Sequence, residues 1–305
     1  MHITVVPASP KTGQAAIRAL LRDPSNPIVR GYYRDLGKVP AEFKEHPRFE
    51  AVQGSVEDAG TLDFSGSDAV VTITPPIYQD IDAIAHAHLV SENVKSAVKK
   101  AGSVRRLVLL SSVGAQYDQG TGELLTNHEA EVVLRDAAPE VVIVRASYFM
   151  ENWAASLETL PSGFFYTTIT PVDRPLNMIA VQDIGATLAG EALAAGGGGL
   201  EASPHVFELR GPRDYSSLDV QRAFEEATGG RQIELRAVAP DGGLDAFYAA
   251  VFPPAVAARF AAMNRSFLEG GILDRDPDPT PEKRYGTTEL VDVLRRLVAG
   301  QPSFS

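Results

Sequence analysis

Cysteine is absent from the 305-residue sequence. Disulfide bonds, thiolate metal sites and a cysteine nucleophile are therefore excluded, and a reducing cytosol is a compatible environment. Basic residues are also scarce, because 28 Lys and Arg stand against 39 Asp and Glu, which leaves a net charge of −11. Nucleic acids and anionic membranes are bound by basic surfaces, so this balance argues against both as partners.

Long hydrophobic runs are missing as well. The opening segment MHITVVPASPK lacks the charged start and long apolar core of a signal peptide. No uninterrupted apolar stretch is long enough to span a bilayer. We expect a soluble, cytoplasmic protein, a monomer or homodimer, whose partner is a small-molecule substrate or a regulatory protein.

Short apolar runs alternate with helical patterns through the first half of the chain. The predicted strands are Ile3–Val6, Pro27–Tyr33, Phe49–Gln53, Ala69–Ile73, Leu107–Leu110 and Val141–Val144. The predicted helices are Thr12–Arg22, Ala41–Phe49, Ile81–Lys100 and Glu129–Asp136. Strands separated by helices at this spacing form crossover connections, which predict a Rossmann-type α/β fold with a doubly wound parallel sheet.

The second half is less regular. Its pattern predicts strands at Val206–Arg210 and Gln232–Val238, helices at Ser217–Thr228, Leu244–Phe252, Pro254–Leu268 and Thr288–Leu297, and loops at Gly196–Gly199 and Asp274–Pro281. We expect an NAD(P)-binding Rossmann domain over residues 1–153. A smaller α+β substrate-binding region would cover 154–305, with about 175–195 packing back on the first domain.

The first strand-to-helix turn is the first candidate binding site. It reads Pro-Ala-Ser-Pro-Lys-Thr-Gly, and only Gly13 keeps the glycine pattern that dinucleotide-binding turns use. The helix N-terminus near Lys11 still favours an anion, which makes Ala8, Ser9, Lys11, Thr12 and Gly13 candidate phosphate contacts. The alternative is a simple turn in which Thr12 caps the helix.

The end of the second strand carries the candidate for cofactor choice. An acidic residue there usually binds a ribose 2′-hydroxyl, whereas a 2′-phosphate needs arginine. Arg34 occupies this place with Lys38 close by, which favours NADP(H). Asp35 follows at once, so NAD(H) and a simple solvated Arg-Asp pair both stay open. Thr74 and Pro75 end the fourth strand, and the switch-point rule places them beside the same cofactor.

Several short motifs occur along the chain in a shared order: Gly13 and Arg34, Val52-Gln53-Gly54, Thr74-Pro75-Pro76, Ser111-Ser112-Val113-Gly114, Tyr148-Phe149-Met150-Glu151-Asn152, Val181-Gln182-Asp183-Ile184-Gly185 and Leu209-Arg210-Gly211-Pro212. In this order they resemble the NmrA-like family of atypical short-chain dehydrogenase/reductases, although Pro7 and Pro10 replace two glycines of its opening turn. That opening looks like a fungal branch.

The resemblance implies an NADP(H)-binding Rossmann domain and a C-terminal substrate region. It also implies that Ser111, Ser112, His128, Tyr148, Phe149 and Asn152 line the cofactor site. The family contains both reductases and redox-sensing regulators, so membership leaves the reaction open.

The catalytic pattern of classical short-chain dehydrogenases is not present, because no tyrosine is followed by lysine four residues later. His128 stands near that place and is a candidate proton donor, since histidine titrates near neutrality. Ser112 is a candidate for polarising a carbonyl, and Tyr148 and Tyr117 are further donors. The alternative is that His128 only lines the pocket or caps its helix.

Aromatic residues mark the candidate substrate region. Trp153, Phe247 and Phe252 are predicted to contact substrate, with Tyr248, Phe260 and Phe267 in the same apolar wall, although core packing explains such residues equally well. His86 and His88 lie on different faces of one predicted helix, and the chain has no His-x-x-x-His, so no metal site is predicted.

Three functions follow from these observations. The first is an NADPH-dependent oxidoreductase that reduces a small carbonyl or conjugated substrate. The second is a sensor that binds NADP(H) and a protein partner without turnover, which the missing Tyr-Lys pair suits. The third is a non-redox isomerase or cyclase on the same fold, which Pro7 and Pro10 keep open.

Overall fold

A computed structural model describes residues 1–197, 199–275 and 281–300 of the protein. The strands are β1 His2–Val6, β2 Ile28–Tyr33, β3 Phe49–Gln53, β4 Ala69–Ile73, β5 Arg106–Ser112, β6 Glu140–Ala146, β7 Tyr148–Phe149, β8 Phe164–Thr167, β9 Leu176–Ile179, β10 His205–Arg210, β11 Asp214–Tyr215, β12 Glu234–Ala237 and β13 Glu282–Tyr285. The α-helices are α1 Lys11–Arg22, α2 Ala41–Lys44, α3 Ala83–Ala101, α4 Leu125–Leu134, α5 Val181–Leu193, α6 Ser217–Ala227, α7 Gly243–Ala249, α8 Pro254–Phe267, α9 Ile272–Arg275 and α10 Leu290–Ala299. Short 3₁₀ helices cover Leu36–Lys38, Ala59–Thr61, Gly122–Leu124, Met150–Glu158, Leu160–Ser162 and Ala194–Gly196.

Eight of these strands form one parallel sheet in the order β13-β10-β6-β5-β4-β1-β2-β3. The chain runs outward from β1 to β3 on one side and from β4 to β13 on the other. The order therefore reverses between β1 and β4, which is the switch point of a doubly wound sheet. The predicted fold class is confirmed. Smaller sheets are formed by β11-β9-β7 and by β12-β8.

Both faces of the parallel sheet are covered by apolar helix faces. Residues of α1 and α5 pack with one face in a cluster that contains Ile3, Val5 and Leu188. Residues of α3 and α4 pack with the other face around Val70, Val94 and Leu109. Strand β4 is buried at every residue, because a central parallel strand has helices on both sides.

A third apolar cluster joins the segments that follow β6. It contains Trp153, Phe165, Met178, Phe224 and Leu294, so it unites the 3₁₀ helix after β7 with α6 and α10. The later segments also contribute β10 and β13 to the main sheet. Strands from both sides of residue 153 thus belong to the main sheet. The proposed domain boundary at that residue stays a prediction.

Most predicted elements of the first half are confirmed, with one clear error. The helix predicted to reach Phe49 ends at Lys44, since Pro47 disfavours helical backbone at His46. The loop expected at Gly196–Gly199 includes residue 198, and the loop expected at Asp274–Pro281 includes 276–280; these residues lie outside the described chain. Residues 274 and 275 belong to α9.

No helix in the described ranges has the length and apolar character that a membrane crossing needs.

Helix α5 lies against α1 at a glycine contact. A Cβ added to Gly185 would lie 2.5 Å from the carbonyl carbon and the Cβ of Ala15. Because one of these atoms is backbone, a side chain there forces the two helices apart. Asp183, two residues earlier, accepts hydrogen bonds from the backbone N–H groups of Thr287 and Thr288, which fixes the segment before α10.

We predict that Gly185→Ala lowers the free energy of unfolding by about 1–3 kcal/mol, because overpacking a close helix contact strains both helices. Gly190→Ala is the matched control. It lies on the same helix with open space around its added Cβ, and should stabilise by roughly 0.5–1 kcal/mol. Urea unfolding of the three proteins measures both effects, and equal stability of the two variants would contradict the close contact.

Candidate functional site

A cavity of about 370 Å³ opens at the carboxyl ends of the strands on either side of the switch point. This position is where doubly wound sheets bind their ligands, and the volume lies within the usual range for small-molecule sites. Residues from four connections line it: Val6, Pro7, Ser9, Pro10, Arg34, Gly54, Ser55, Val56, Glu57, Pro75, Pro76, Ile77, Tyr78, Gln79 and His86.

The turn between β1 and α1 presents an uncapped helix end to this cavity. Pro10 is the N-cap residue of α1, no side chain caps the helix, and its first turn carries no acidic residue. The first backbone N–H groups of a helix have no partner within the helix, so those of Lys11, Thr12 and Gly13 are oriented for an anion. Thr12 is buried and is not the cap, so the alternative of a Thr12-capped turn is wrong.

Close packing holds this turn in place. The backbone N–H of the buried Ala8 donates to the carbonyl of Tyr32 at 2.9 Å, which ties the turn to β2. A Cβ on Gly13 would lie 2.9 Å from the carbonyl oxygen of Pro7, so only glycine fits there without a shift. Ser9 is exposed on the cavity side, and its carbonyl accepts from the Gln14 side chain at 2.9 Å. Lys11 is exposed at the first position of α1.

Arg34 lies at the cavity wall with a largely free side chain. It is 73% exposed, and its Nη1 is 3.5 Å from Oε1 of Glu57. The neighbouring Asp35 instead accepts a hydrogen bond from the backbone N–H of Gly37 at 2.8 Å, which caps the 3₁₀ turn that contains Lys38. Arg34 therefore faces the cavity, whereas the Asp35 carboxylate is engaged within its own loop.

Two ionisable residues of this cavity were not predicted from the sequence, Glu57 and His86. Oε1 of Glu57 lies 3.4 Å from Nε2 of His86 and 3.5 Å from Arg34. The sequence signal was the position of Glu57, shortly after the predicted strand Phe49–Gln53. Tyr33 of β2 pairs with Gln53 of β3, so the residues after both strands lie at one edge of the sheet. A search for polar residues after β3 would have found Glu57.

Thr74 and Pro75 begin the connection from β4 to α3, and both are half-buried at the switch point. The same connection continues to Tyr78, whose ring stacks on Phe252 at a centroid distance of 5.8 Å. The backbone carbonyls of Ile77 and Ile81 in this connection accept hydrogen bonds from the guanidinium of Arg259 on α8, at 3.1 and 3.4 Å. The connection thus joins the switch-point cavity to the C-terminal helices.

Arg259 also forms an ion pair with Glu123 at 2.8 Å. Burial raises the pKa of the Glu123 carboxyl, and the adjacent guanidinium partly offsets that rise. A Cβ on Gly122 would lie 2.2 Å from the carbonyl oxygen of Arg259, so the glycine allows α8 to approach. The C-terminal helices are therefore held to the Rossmann core by close packing together with a buried charge pair.

Ser111 belongs to a buried network behind the cleft. Its Oγ donates to Oε1 of Glu131 at 2.5 Å, and the Arg145 guanidinium binds both oxygens of that carboxylate, at 2.9 and 2.6 Å. A two-pronged pair of this kind compensates the burial of both charges. The network fixes α4 against β5 and β6.

The two catalytic candidates Ser112 and His128 lie at the end of β5 and on α4. The half-buried Ser112 donates from Oγ to the carbonyl of Val113 at 3.1 Å. Nδ1 of His128 is 2.8 Å from the carbonyl oxygen of Ala115, and because a carbonyl only accepts, Nδ1 carries the proton. Nε2 of the neutral ring is therefore an acceptor, and His128 becomes a donor through Nε2 only as the imidazolium.

The segment after β6 places Tyr148 and Phe149 in β7 and Asn152 on the next 3₁₀ helix. Burial raises the pKa of the Tyr148 hydroxyl, while a hydrogen bond with the Asn152 side chain lowers it in part. Tyr148 thus stays protonated near neutral pH and is a hydrogen-bond donor. Phe149 packs on the cluster that contains Ile3, so it is mainly a structural neighbour of the site.

The predicted substrate aromatics divide into two groups. Trp153 is 4% exposed and packs edge-on against Phe165 in the third apolar cluster. Phe247 packs on Tyr166 of β8, with the two ring centroids 5.9 Å apart. Phe252 alone joins a stack over the cavity, with Phe260 at 5.0 Å and Tyr78 at 5.8 Å. Substrate contact by these three residues stays a prediction.

His86 and His88 lie two residues apart on α3 and contact different carboxylates. His86 lies 3.4 Å from Glu57, and His88 pairs with Glu129 at 2.7 Å. Within the described ranges, no group of three His, Asp or Glu is placed to hold a metal ion.

Several solved structures are similar to this chain over nearly its whole length. The triphenylmethane reductase of Citrobacter sp. in complex with NADP(H) is 17% identical, with a TM-score of 0.70, and 97% of this chain and 99% of that one are covered. The NADPH-dependent quinone oxidoreductase of Escherichia coli with NADPH is 19% identical, with a TM-score of 0.69 and the same coverage. A variant of NmrA is 20% identical, with a TM-score of 0.67 and coverage of 98% and 91%. At these identities the likeness shows a shared fold.

The sequence was also compared with known proteins and families. No curated protein matches it significantly. A family model described as NAD(P)H-binding matches residues 8–188, which is more than half of the chain and includes the β1–α1 turn, Arg34, Glu57, His86 and His128. The chain therefore belongs to this NAD(P)H-binding family.

Proposed function

We propose that the protein is an NADPH-dependent oxidoreductase of the NmrA-like group, fungal in type, which reduces a small carbonyl or conjugated substrate. The observation that carries this proposal is the cavity at the switch point, which Arg34 and the turn before α1 line together. An uncapped helix end suits a pyrophosphate, and an exposed guanidinium suits the additional 2′-phosphate.

The residues present fit such a dinucleotide. The N–H groups of the first turn of α1 are candidate donors to the pyrophosphate, with Ser9 and Lys11 at its edge. Pro7 and Pro10 remove two possible donors but leave the helix end uncapped. Arg34, with Lys38 nearby, faces the 2′-phosphate. The connection at Thr74 and Pro75 supplies mainly apolar contact beside the cofactor.

When bound, the reduced nicotinamide supplies a hydride to an electrophilic carbon of the substrate. We assign Ser112, the last residue of β5, to polarise a carbonyl oxygen, once its hydroxyl turns from the Val113 carbonyl. His128 as the imidazolium delivers the proton from Nε2, while Nδ1 keeps its bond to Ala115. Tyr148 donates a hydrogen bond as the neutral phenol. Product then carries the added hydride and proton.

The aromatic stack of Tyr78, Phe252 and Phe260 supports a flat, conjugated substrate, because aromatic groups pack on one another in offset-stacked or edge-to-face geometry. The structural neighbours named as a triphenylmethane reductase and a quinone oxidoreductase support the same choice. A panel of quinones, triphenylmethane dyes and small carbonyls, with NADPH oxidation followed by absorbance, tests turnover. Cofactor binding without turnover across this panel would favour the sensor instead.

We predict that Arg34→Ala weakens NADP(H) binding relative to NAD(H) by about 1–3 kcal/mol, because a charge-assisted contact to the 2′-phosphate is lost. Calorimetric titration with both cofactors measures the ratio. Arg22→Ala is the control, since Arg22 is exposed at the far end of α1. A ratio unchanged in Arg34→Ala would remove the assignment of Arg34 to the 2′-phosphate.

We further predict that His128→Asn lowers kcat by about 10²–10⁴-fold and leaves cofactor affinity unchanged, as expected for loss of a general acid. Asparagine keeps a donor near the Nδ1 position for the Ala115 carbonyl but has no group at Nε2. His88→Asn serves as the control on α3. A variant with normal kcat would exclude His128 as the donor.

A further inference from the structure

Three ionisable side chains meet at one carboxylate oxygen in the cofactor cavity. Oε1 of Glu57 lies 3.5 Å from Nη1 of Arg34 and 3.4 Å from Nε2 of His86, and all three residues line the cavity. They come from three separate connections, after β2, after β3 and at the start of α3. The sheet edge rather than the local sequence brings them together.

His86 is the most enclosed member of this group. Its side chain is 12% exposed, and its Nδ1 is buried with no hydrogen-bond partner in the described part of the chain. Asp82, one turn earlier, caps α3 by accepting from the N–H groups of Ile84 and Ala85. The carboxylate of Glu57 is therefore the acid that the imidazole faces.

The remaining charged groups of these connections are engaged or remote. Asp35 accepts from the N–H of Gly37, and Asp58 accepts from the N–H of Gly60. Lys38 is exposed in its 3₁₀ turn, and the imidazole of His88 pairs with Glu129 outside the cavity. Asp80 and Lys11 are exposed and do not line the cavity, so the local charge at its wall is set by Arg34, Glu57 and the protonation state of His86.

This arrangement conflicts in part with a 2′-phosphate. A carboxylate beside Arg34 cancels much of its charge and repels a phosphate, yet it is a good acceptor for a ribose 2′-hydroxyl. When His86 is protonated, it adds one positive charge and pairs with Glu57, so Arg34 is left for the phosphate. When His86 is neutral, Glu57 competes for Arg34.

We propose that Glu57 and His86 determine the choice between NADP(H) and NAD(H), with Glu57 disfavouring the 2′-phosphate and protonated His86 relieving that effect. This inference rests on the proposed cofactor function. It makes the preference for NADP(H) dependent on pH. Because phosphate binding favours the protonated imidazole, protonation of His86 raises the preference for NADP(H).

The test uses NADP⁺ and NAD⁺, which share the 2′ difference and avoid the acid lability of the reduced forms. Dissociation constants are measured by calorimetry at about pH 6 and about pH 8, the range of histidine titration, at one ionic strength. The proteins are wild type, Glu57→Gln, His86→Asn, and two controls. Glu50→Gln removes a carboxylate that pairs with Arg30 at the other end of β3, and His88→Asn removes the exposed histidine of α3.

We expect Glu57→Gln to raise the preference for NADP⁺ at pH 8 by about five- to tenfold, as for removal of a repulsive charge at a half-exposed contact. The ratio of the preference at pH 6 to the preference at pH 8 should be larger in wild type than in His86→Asn. The phosphate itself loses charge toward pH 6, which acts in the opposite direction and is common to all five proteins.

Two results would overturn separate parts of this account. Failure of wild type to bind NADP⁺ at either pH removes the proposed cofactor function itself. If NADP⁺ binds, but Glu57→Gln and His86→Asn show the same cofactor preference as the two controls, only the roles of Glu57 and His86 are excluded.

Discussion

The position of helix α1 is the constraint on which the rest of the site depends. Its N-terminal turn lies against the Pro7 carbonyl at Gly13, and its middle lies against α5 at Gly185. Neither contact leaves room for a side chain, so the helix has one place relative to β1. That place directs the free N–H groups of its first turn into the cavity beside β4. The proposed anion site there rests on backbone geometry and needs few side chains.

Charge is used differently in the two halves of the cleft. Behind the catalytic candidates, Glu131 and Arg145 form a closed and buried pair, which fixes α4 and presents little net charge. At the other end Arg34 and Glu57 are only loosely paired and half-exposed, so a ligand can compete for either one. A rigid neutral wall suits the reacting end of a cofactor, and an adjustable charged wall suits recognition of its phosphate.

The central sheet was largely predictable from sequence, because buried parallel strands are continuous β-branched runs. Ala69–Ile73 was predicted with both ends correct, and every residue of it is buried. Strand β13 was missed, since Glu282, Lys283 and Arg284 on a sheet edge carry no apolar signal. The α1 turn and Arg34 were found because each follows a strand directly. Glu57 and His86 were missed because their meeting depends on the register of β2 with β3 and on the first turn of α3.

Completion of the parallel sheet by β10 and β13 has a consequence for folding during synthesis on the ribosome. The edge of β6 is open to hydrogen bonding until His205–Arg210 has left the exit tunnel, well after the nucleotide-binding core has been made. An unpaired parallel edge of apolar residues invites association with other chains. The chain therefore passes through a stage of synthesis in which the edge of β6 is exposed on a nearly complete core, and β13 later covers the outer edge of β10.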